Sequence, residues 1–218
     1  MIMKRHYTQN EYKQLLSNMR IVCQSNEQKN DHIKKYFTDN GIEYVERSIP
    51  EGDYSFMIKS CPELGFNGDY LFLDELFIER KNSLQELAGS LYGQKEMPAY
   101  AKRVVEELKK EKVYSPYQTA TVIRDIKSQF SVYDDAFSRE LKRAINKPHK
   151  FLLVEQPNGW KGIADHDYPN NYSEKAFWGA VHSLEVKYGL HVKFIDKKQM
   201  GLEIYTICKY VLNSCIDR

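Results

Sequence analysis

No stretch of this sequence approaches the roughly 18 consecutive apolar residues that a membrane-crossing helix needs, so no membrane span is expected. The N-terminus, MIMKRHYTQNEYKQ, is basic but lacks the apolar segment of a secretory signal, which points to a cytoplasmic chain that is not secreted. Cys23, Cys61, Cys208 and Cys215 are scattered and form no C-x-x-C pair, which argues against both a zinc site and a disulfide framework. Charge of one sign is also missing: 32 Lys and Arg against 30 Asp and Glu leave +2, too little to demand a nucleic-acid partner. Repeats, coiled-coil heptads and low-complexity tracts are absent. What is present is ordinary globular composition, 42% hydrophobic and 28% charged, in 218 residues, enough for one sizeable core. One domain over 1–218 is the expectation.

The apolar run Ile21 to Cys23 followed by a helical pattern that stops near Gly41 reads as a β–α step. IEYVERSI (42–49) and YSFMI (54–58) read as strands, and Pro50-Glu51-Gly52-Asp53 between them suggests a hairpin. A loop at 59–70 precedes a third strand, LFLDELFIERK, and Ser83-Leu84-Gln85-Glu86 then matches the S-x-x-E capping box of a helix. Residues 94–133 fit no minimal core and are read as a helical insertion. A helix in DDAFSRELKRAINK, a buried strand HKFLLVEQ, a helix capped by Ser173 and stopped by Gly189, the strand HVKFI and a final amphipathic helix complete an α/β chain with its core at about 20–93 and 134–215.

The third strand ends on charge. Side chains alternate along a strand, so Glu79 and Lys81 share a face while Arg80 points the other way, toward an acid or the strand–helix junction. Asp53 and Glu79 together could hold a hard divalent cation through oxygen, with Lys81 beside the attacking water and the charge that develops on a phosphodiester. Spacing alone does not carry this, since E-x-K recurs at Glu11/Lys13, Glu107/Lys109, Glu140/Lys142 and Glu185/Lys187. Context separates residues 79–81: a strand end, a preceding Gly-Asp turn and a helix capped at once afterwards.

IPEGDYSF followed by IERKNSLQELAGSL resembles the XPF-type nuclease domain, a branch of the PD-(D/E)XK superfamily, whose signature is G-D, a variable stretch and E-R-K-X3-D. QSNE (24–27) stands where the family has D-x-R-E, keeping Glu27 but carrying Gln24 and Asn26. FSRELKRA and FLLVE resemble the helix and strand that follow. The resemblance implies a restriction-endonuclease-like mixed central sheet flanked by helices and a Mg²⁺- or Mn²⁺-dependent DNA endonuclease acting on branched, flap or junction DNA in repair or recombination. It further implies Asp53 and Glu79 as metal ligands, Lys81 as the catalytic lysine and Arg80 as the motif arginine. Glu27 and Glu86 are further candidate ligands, each with a helix-capping or first-turn reading beside it. Asp69, in a second Gly-Asp-Tyr, is the alternative to Asp53. The family implies a homodimer through this domain. No helix-hairpin-helix module is expected, since only one helix fits after residue 199.

Arg139, Lys142, Arg143, Lys147 and Lys150 form a basic cluster that can bind duplex phosphates or be a solvated helix face. Two rival classes stay open: a non-catalytic DNA-binding or scaffolding subunit, toward which Gln24 and the shifted Glu86 lean, and a restriction- or resolvase-type nuclease on the same fold.

Overall fold

The computed structural model describes residues 6–92, 99–110, 115, 117–123, 136–168 and 172–216. The chain opens on helix α1 (Gln9–Ser17), whose Thr8 and Glu11 form a reciprocal capping box. This T-x-x-E signal lies outside the elements expected from the sequence pattern. Strand β1 (Met19–Gln24), helix α2 (Asp31–Asp39) and strand β2 (Tyr44–Arg47) form a parallel crossover, with Gly41 left-handed just past the helix.

The expected hairpin between 42–49 and 54–58 does not form. β3 (Tyr54–Ile58) enters on the other side of β1 and pairs with it antiparallel, so β1 separates β2 from β3. The reason is the crossover: once α2 returns the chain parallel to β1, β2 occupies one edge of that strand and leaves the other for β3. The expected continuous third strand is split as well. β4 (Tyr70–Leu71) pairs with the end of β3, the chain turns at 73–75, and β5 (Leu76–Lys81) runs into the sheet centre.

Helix α3 (Leu84–Tyr92) follows β5. Residues of α4 (Ala99–Lys110) and α5 (117–123) are helical, and the rest of the expected insertion apart from Ser115 lies outside the described residues. Then come α6 (Ala136–Arg143) with a 3-10 turn (Ala144–Asn146), β6 (His149–Glu155), α7 (Trp160–Ala164), α8 (Glu174–Tyr188), β7 (His191–Ile195) and α9 (Met200–Cys215). Ser173 caps α8 and left-handed Gly189 ends it, as the sequence indicates.

The sheet order is β2-β1-β3-β5-β6-β7, with β5, β6 and β7 parallel and β3 antiparallel to both of its path neighbours. Each face carries an apolar cluster. Leu15, Ile33, Phe37, Ile204 and Cys208 from α1, α2 and α9 cover Ile21, Phe56 and Ile78 on one side. Leu87, Leu141, Phe177 and Val181 from α3, α6 and α8 cover Phe77, Leu152 and Val154 on the other. Phe77 and Ile78 thus face opposite layers, and the period-2 alternation that carries the core continues into the charged residues that follow.

Candidate active site

β5 and β3 touch through a single pair, Tyr54 with Ile78. Immediately before it, Gly52 adopts φ +82°, and a Cβ there would lie 2.8 Å from the Ile78 carbonyl oxygen. Only glycine permits the turn and its close approach to β5. That approach lets the Asp53 N–H donate to Ile78 O at 2.7 Å and lets the Asp53 carboxylate accept from the Arg80 N–H at 2.7 Å. Asp53 is therefore pinned to the backbone of the motif itself.

On the face covered by α3 and α6, Lys81 Nζ donates to Glu79 Oε1 at 2.7 Å, stands 4.0 Å from Glu86 Oε1 and lies 4.6 Å from the centre of the Phe137 ring. Burial, opposed mainly by Lys81, pushes the Glu79 carboxyl up to about 7. Burial and the neighbouring Glu79 carboxylate push Asp53 well above the usual range too. Burial would lower the Lys81 ammonium, but Glu79 more than reverses this and holds it above its ordinary value. Lys81 is thus a charged donor rather than a base at neutral pH.

On the opposite face Arg80 reaches a different set of groups. Its guanidinium bonds Glu155 Oε1 at 2.7 Å through Nη1 and Glu27 Oε1 through Nη2, and Glu155 Oε1 also meets His32 Nε2 at 2.7 Å. Burial pulls the His32 pKa down despite Glu155, so the ring is neutral at pH 7 and donates from Nε2. Arg80 Nε is buried without a hydrogen-bond partner. The Arg80–Glu155–His32 network steadies the junction of β5 and β6 against α2.

The other sequence candidates distribute unevenly. Glu86 caps α3: its N–H donates to Ser83 Oγ at 3.1 Å and its carboxylate accepts from the Asn82 N–H at 3.0 Å, while the second oxygen faces Lys81. Gln24 clasps the Ile49 backbone with its amide, 2.9 Å to the carbonyl and 3.3 Å from the N–H, and so holds the strand leading into the turn. Asp69 is not brought to the site. It pairs with Lys59 at 2.6 Å and caps Ser60 N, beside the Tyr70–Ile58 pair at the far end of β3, about 13 Å of strand from Tyr54.

The basic cluster does not form one phosphate-facing surface. Lys147 is buried and, with Arg143, pairs with Glu51, while Lys150 is buried with its ammonium on the carbonyl oxygens of Ile145 and Lys147. Arg139 and Lys142 are exposed. The helical spacing that makes a basic face in sequence gives no sign that a turn carboxylate 92 residues upstream of Arg143 claims part of it. Sequence reasoning also passes over Glu140, which lines the same cavity as Glu79, Lys81 and Phe137.

That cavity, about 920 Å³, is walled by the 26–29 loop, the β5 end, α3 and α6. Among the described residues no group of three or more His, Cys, Asp and Glu is arranged to hold a metal ion. The donor chemistry is two buried carboxylates, Asp53 and Glu79, whose raised pKa values express the repulsion and desolvation that a divalent cation would relieve. This set fits a hard, largely water-coordinated cation such as Mg²⁺ or Mn²⁺, and it does not fit zinc, since Cys23, Cys61 and Cys208 are buried in the core.

A mixed sheet between helical layers, with acids and a lysine at the ends of its central strands, is the restriction-endonuclease-like fold. The sequence model of the ERCC4 domain matches residues 24–207, and the chain belongs to the ERCC4 domain family. Among solved structures it is similar to XPF from Aeropyrum pernix, with 17% identity over 88% of this chain and a TM-score of 0.50. XPF from Aeropyrum pernix in complex with DNA also matches, at 16% identity over 89% of this chain with a TM-score of 0.47. The chain spans 65% of the length of the first and 66% of the second. No curated protein matches the sequence. No helix of the described residues is long and apolar enough to cross a membrane.

Proposed function

We propose that the protein is a divalent-metal-dependent DNA endonuclease acting on branched, flap or junction substrates, with the described residues forming a single nuclease domain interrupted between α3 and α6. The observation that carries this reading is the placement of Glu79 and Lys81 side by side in one cavity, with the Asp53 carboxylate bonded to the backbone N–H of Arg80 between them. Asp53 and Glu79 would hold the cation, which, when bound, supplies an activated water and polarises the scissile phosphate. Lys81 keeps its proton and donates hydrogen bonds, first to Glu79 and then to the attacking water or a phosphate oxygen gaining charge. Arg80 does not touch substrate; it fixes the strand end from behind. Glu86 combines the cap of α3 with a carboxylate near Lys81, and Glu27 serves Arg80 rather than the cation.

Branched DNA as the substrate and a homodimer through this domain both rest on the family alone. The retained Asp53, Glu79, Arg80 and Lys81 favour catalysis over a scaffolding role. The test is cleavage of labelled flap, fork, four-way and linear DNA with Mg²⁺, Mn²⁺ or EDTA. Cleavage should require metal and fall by roughly 10²–10³ in Asp53→Asn and Lys81→Ala. Activity that persists in EDTA or in either variant would overturn the mechanism, and a preference for linear sites would favour a restriction-type enzyme.

A further inference from the structure

The turn that carries Asp53 meets β5 through one paired residue and a few backbone bonds. Gln24 of β1 holds the turn at both ends, through Asp53 O and the Ile49 backbone, which leaves the Glu51 side chain to groups outside the sheet. α6 and the 3-10 turn behind it are anchored in the core by Leu141 and Ala144. From that base Arg143 Nε reaches Glu51 Oε1 at 3.3 Å and Lys147 Nζ reaches Glu51 Oε2 at 3.0 Å. Glu51 is 13% exposed and Lys147 8%, so the second pair is shielded from water in a way that ordinary surface pairs are not. Earlier on the same helix, Phe137 lies against Lys81, and Glu140 lines the cavity with the Gly52 N–H directed at its carboxylate.

We propose that α6 and its 3-10 turn act as a clamp, in which Arg143 and Lys147 grip Glu51 to set the Asp53 turn against β5 while Phe137 and Glu140 bound Lys81. Arg143, Lys147 and Glu51 are thus positioning residues, and these two cations of the segment are directed at the turn, while Arg139 and Lys142 stay exposed. The catalytic consequence rests on the nuclease reading; the mechanical claim does not.

The test uses the full chain with Glu51→Gln, Lys147→Gln and the double variant. Three quantities are read: amide hydrogen exchange over 50–56, Mn²⁺ affinity by calorimetry, and kcat and KM on cleaved DNA. Each single variant should speed exchange over 50–56 about tenfold while β6 stays protected, and should weaken Mn²⁺ about tenfold. It should lower kcat about ten- to a hundredfold with KM unchanged, as small misplacements of reacting groups do. The double variant should be little worse than either single one. Unchanged exchange together with a raised, salt-dependent KM in Lys147→Gln and a neutral Glu51→Gln would mean a phosphate contact and overturn the clamp. If the wild-type protein neither cleaves DNA nor binds Mn²⁺, the nuclease reading fails. Exchange over 50–56 then decides the clamp alone, faster supporting it and unchanged refuting it.

Discussion

Replacing Arg80 by methionine should be among the most destabilising single changes in the molecule. The Arg80 side chain is 2% exposed and Glu155, its partner at 2.7 Å, is 5% exposed. Methionine keeps most of the volume but leaves the Glu155 carboxylate buried with only a neutral His32 donor, and breaking a buried pair from one side costs about 3–5 kcal/mol. Glu27, at 18% exposure, can recover part of its solvation, so the loss should come mainly from Glu155. For a domain of this size each kcal/mol lowers Tm by about 2–4 °C, which gives an expected fall of about 6–20 °C. The assay is urea unfolding and thermal melting of wild type, Arg80→Met, Glu155→Gln and the double variant. Removing both charges should recover about 1–3 kcal/mol relative to the sum of the single losses. A loss below about 1 kcal/mol in Arg80→Met, or strict additivity in the cycle, would refute the claim that this arginine acts through a desolvated pair.

Glu79 should make the metal-free protein pH-sensitive. A carboxyl whose folded pKa lies above its unfolded value binds its proton more tightly when folded, so its contribution is greatest below pH 4.5 and is lost as pH rises toward about 7. In EDTA, wild type should therefore lose on the order of 3 kcal/mol more than Glu79→Gln between pH 4.5 and 8, and parallel urea-unfolding profiles would refute this. Gly52→Ala should cost about 1–2 kcal/mol from the left-handed φ alone, read as a lower urea midpoint, and should abolish cleavage because the new Cβ pushes the turn off Ile78. Asp69→Asn should leave cleavage at the wild-type rate while Asp53→Asn loses it; equal losses in a gel assay would count against Asp53 as the site acid.

Much of this molecule is legible in its sequence because the signals are local. The Ser83 hydroxyl cap of α3, the Ser173 cap and the alternation through Phe77 to Lys81 all depend on residues within one turn or one strand. The alternation also tells which of Glu79, Arg80 and Lys81 share a face. It cannot name the group waiting on the far face, because Glu155 is 75 residues away and arrives through a parallel strand. The expected hairpin fails for the same reason: turn chemistry at 50–53 is real, but a turn does not reveal that its two strands will be parted by a third. The basic cluster is only partly outward-facing, with Lys147 and Lys150 buried, because helical spacing reports a face and says nothing of what packs on it. The cap at Glu86 and its approach to Lys81 coexist, so a choice posed in sequence between two roles dissolves in space.

The two charge sets on either side of β5 also act as a lock on strand alignment. A slip of one residue would exchange the faces of β5, driving Arg80 toward Asp53, Glu140 and Phe137 and delivering Glu79 to the already acidic nest of Glu27 and Glu155. Apolar strands in a sheet covered on both faces tolerate such errors poorly but not absolutely, since either face is greasy. Here the slip that puts Glu79 in the place of Arg80 would bury three carboxylates together, so the residues proposed to do chemistry also disfavour that misalignment of the sheet that carries them.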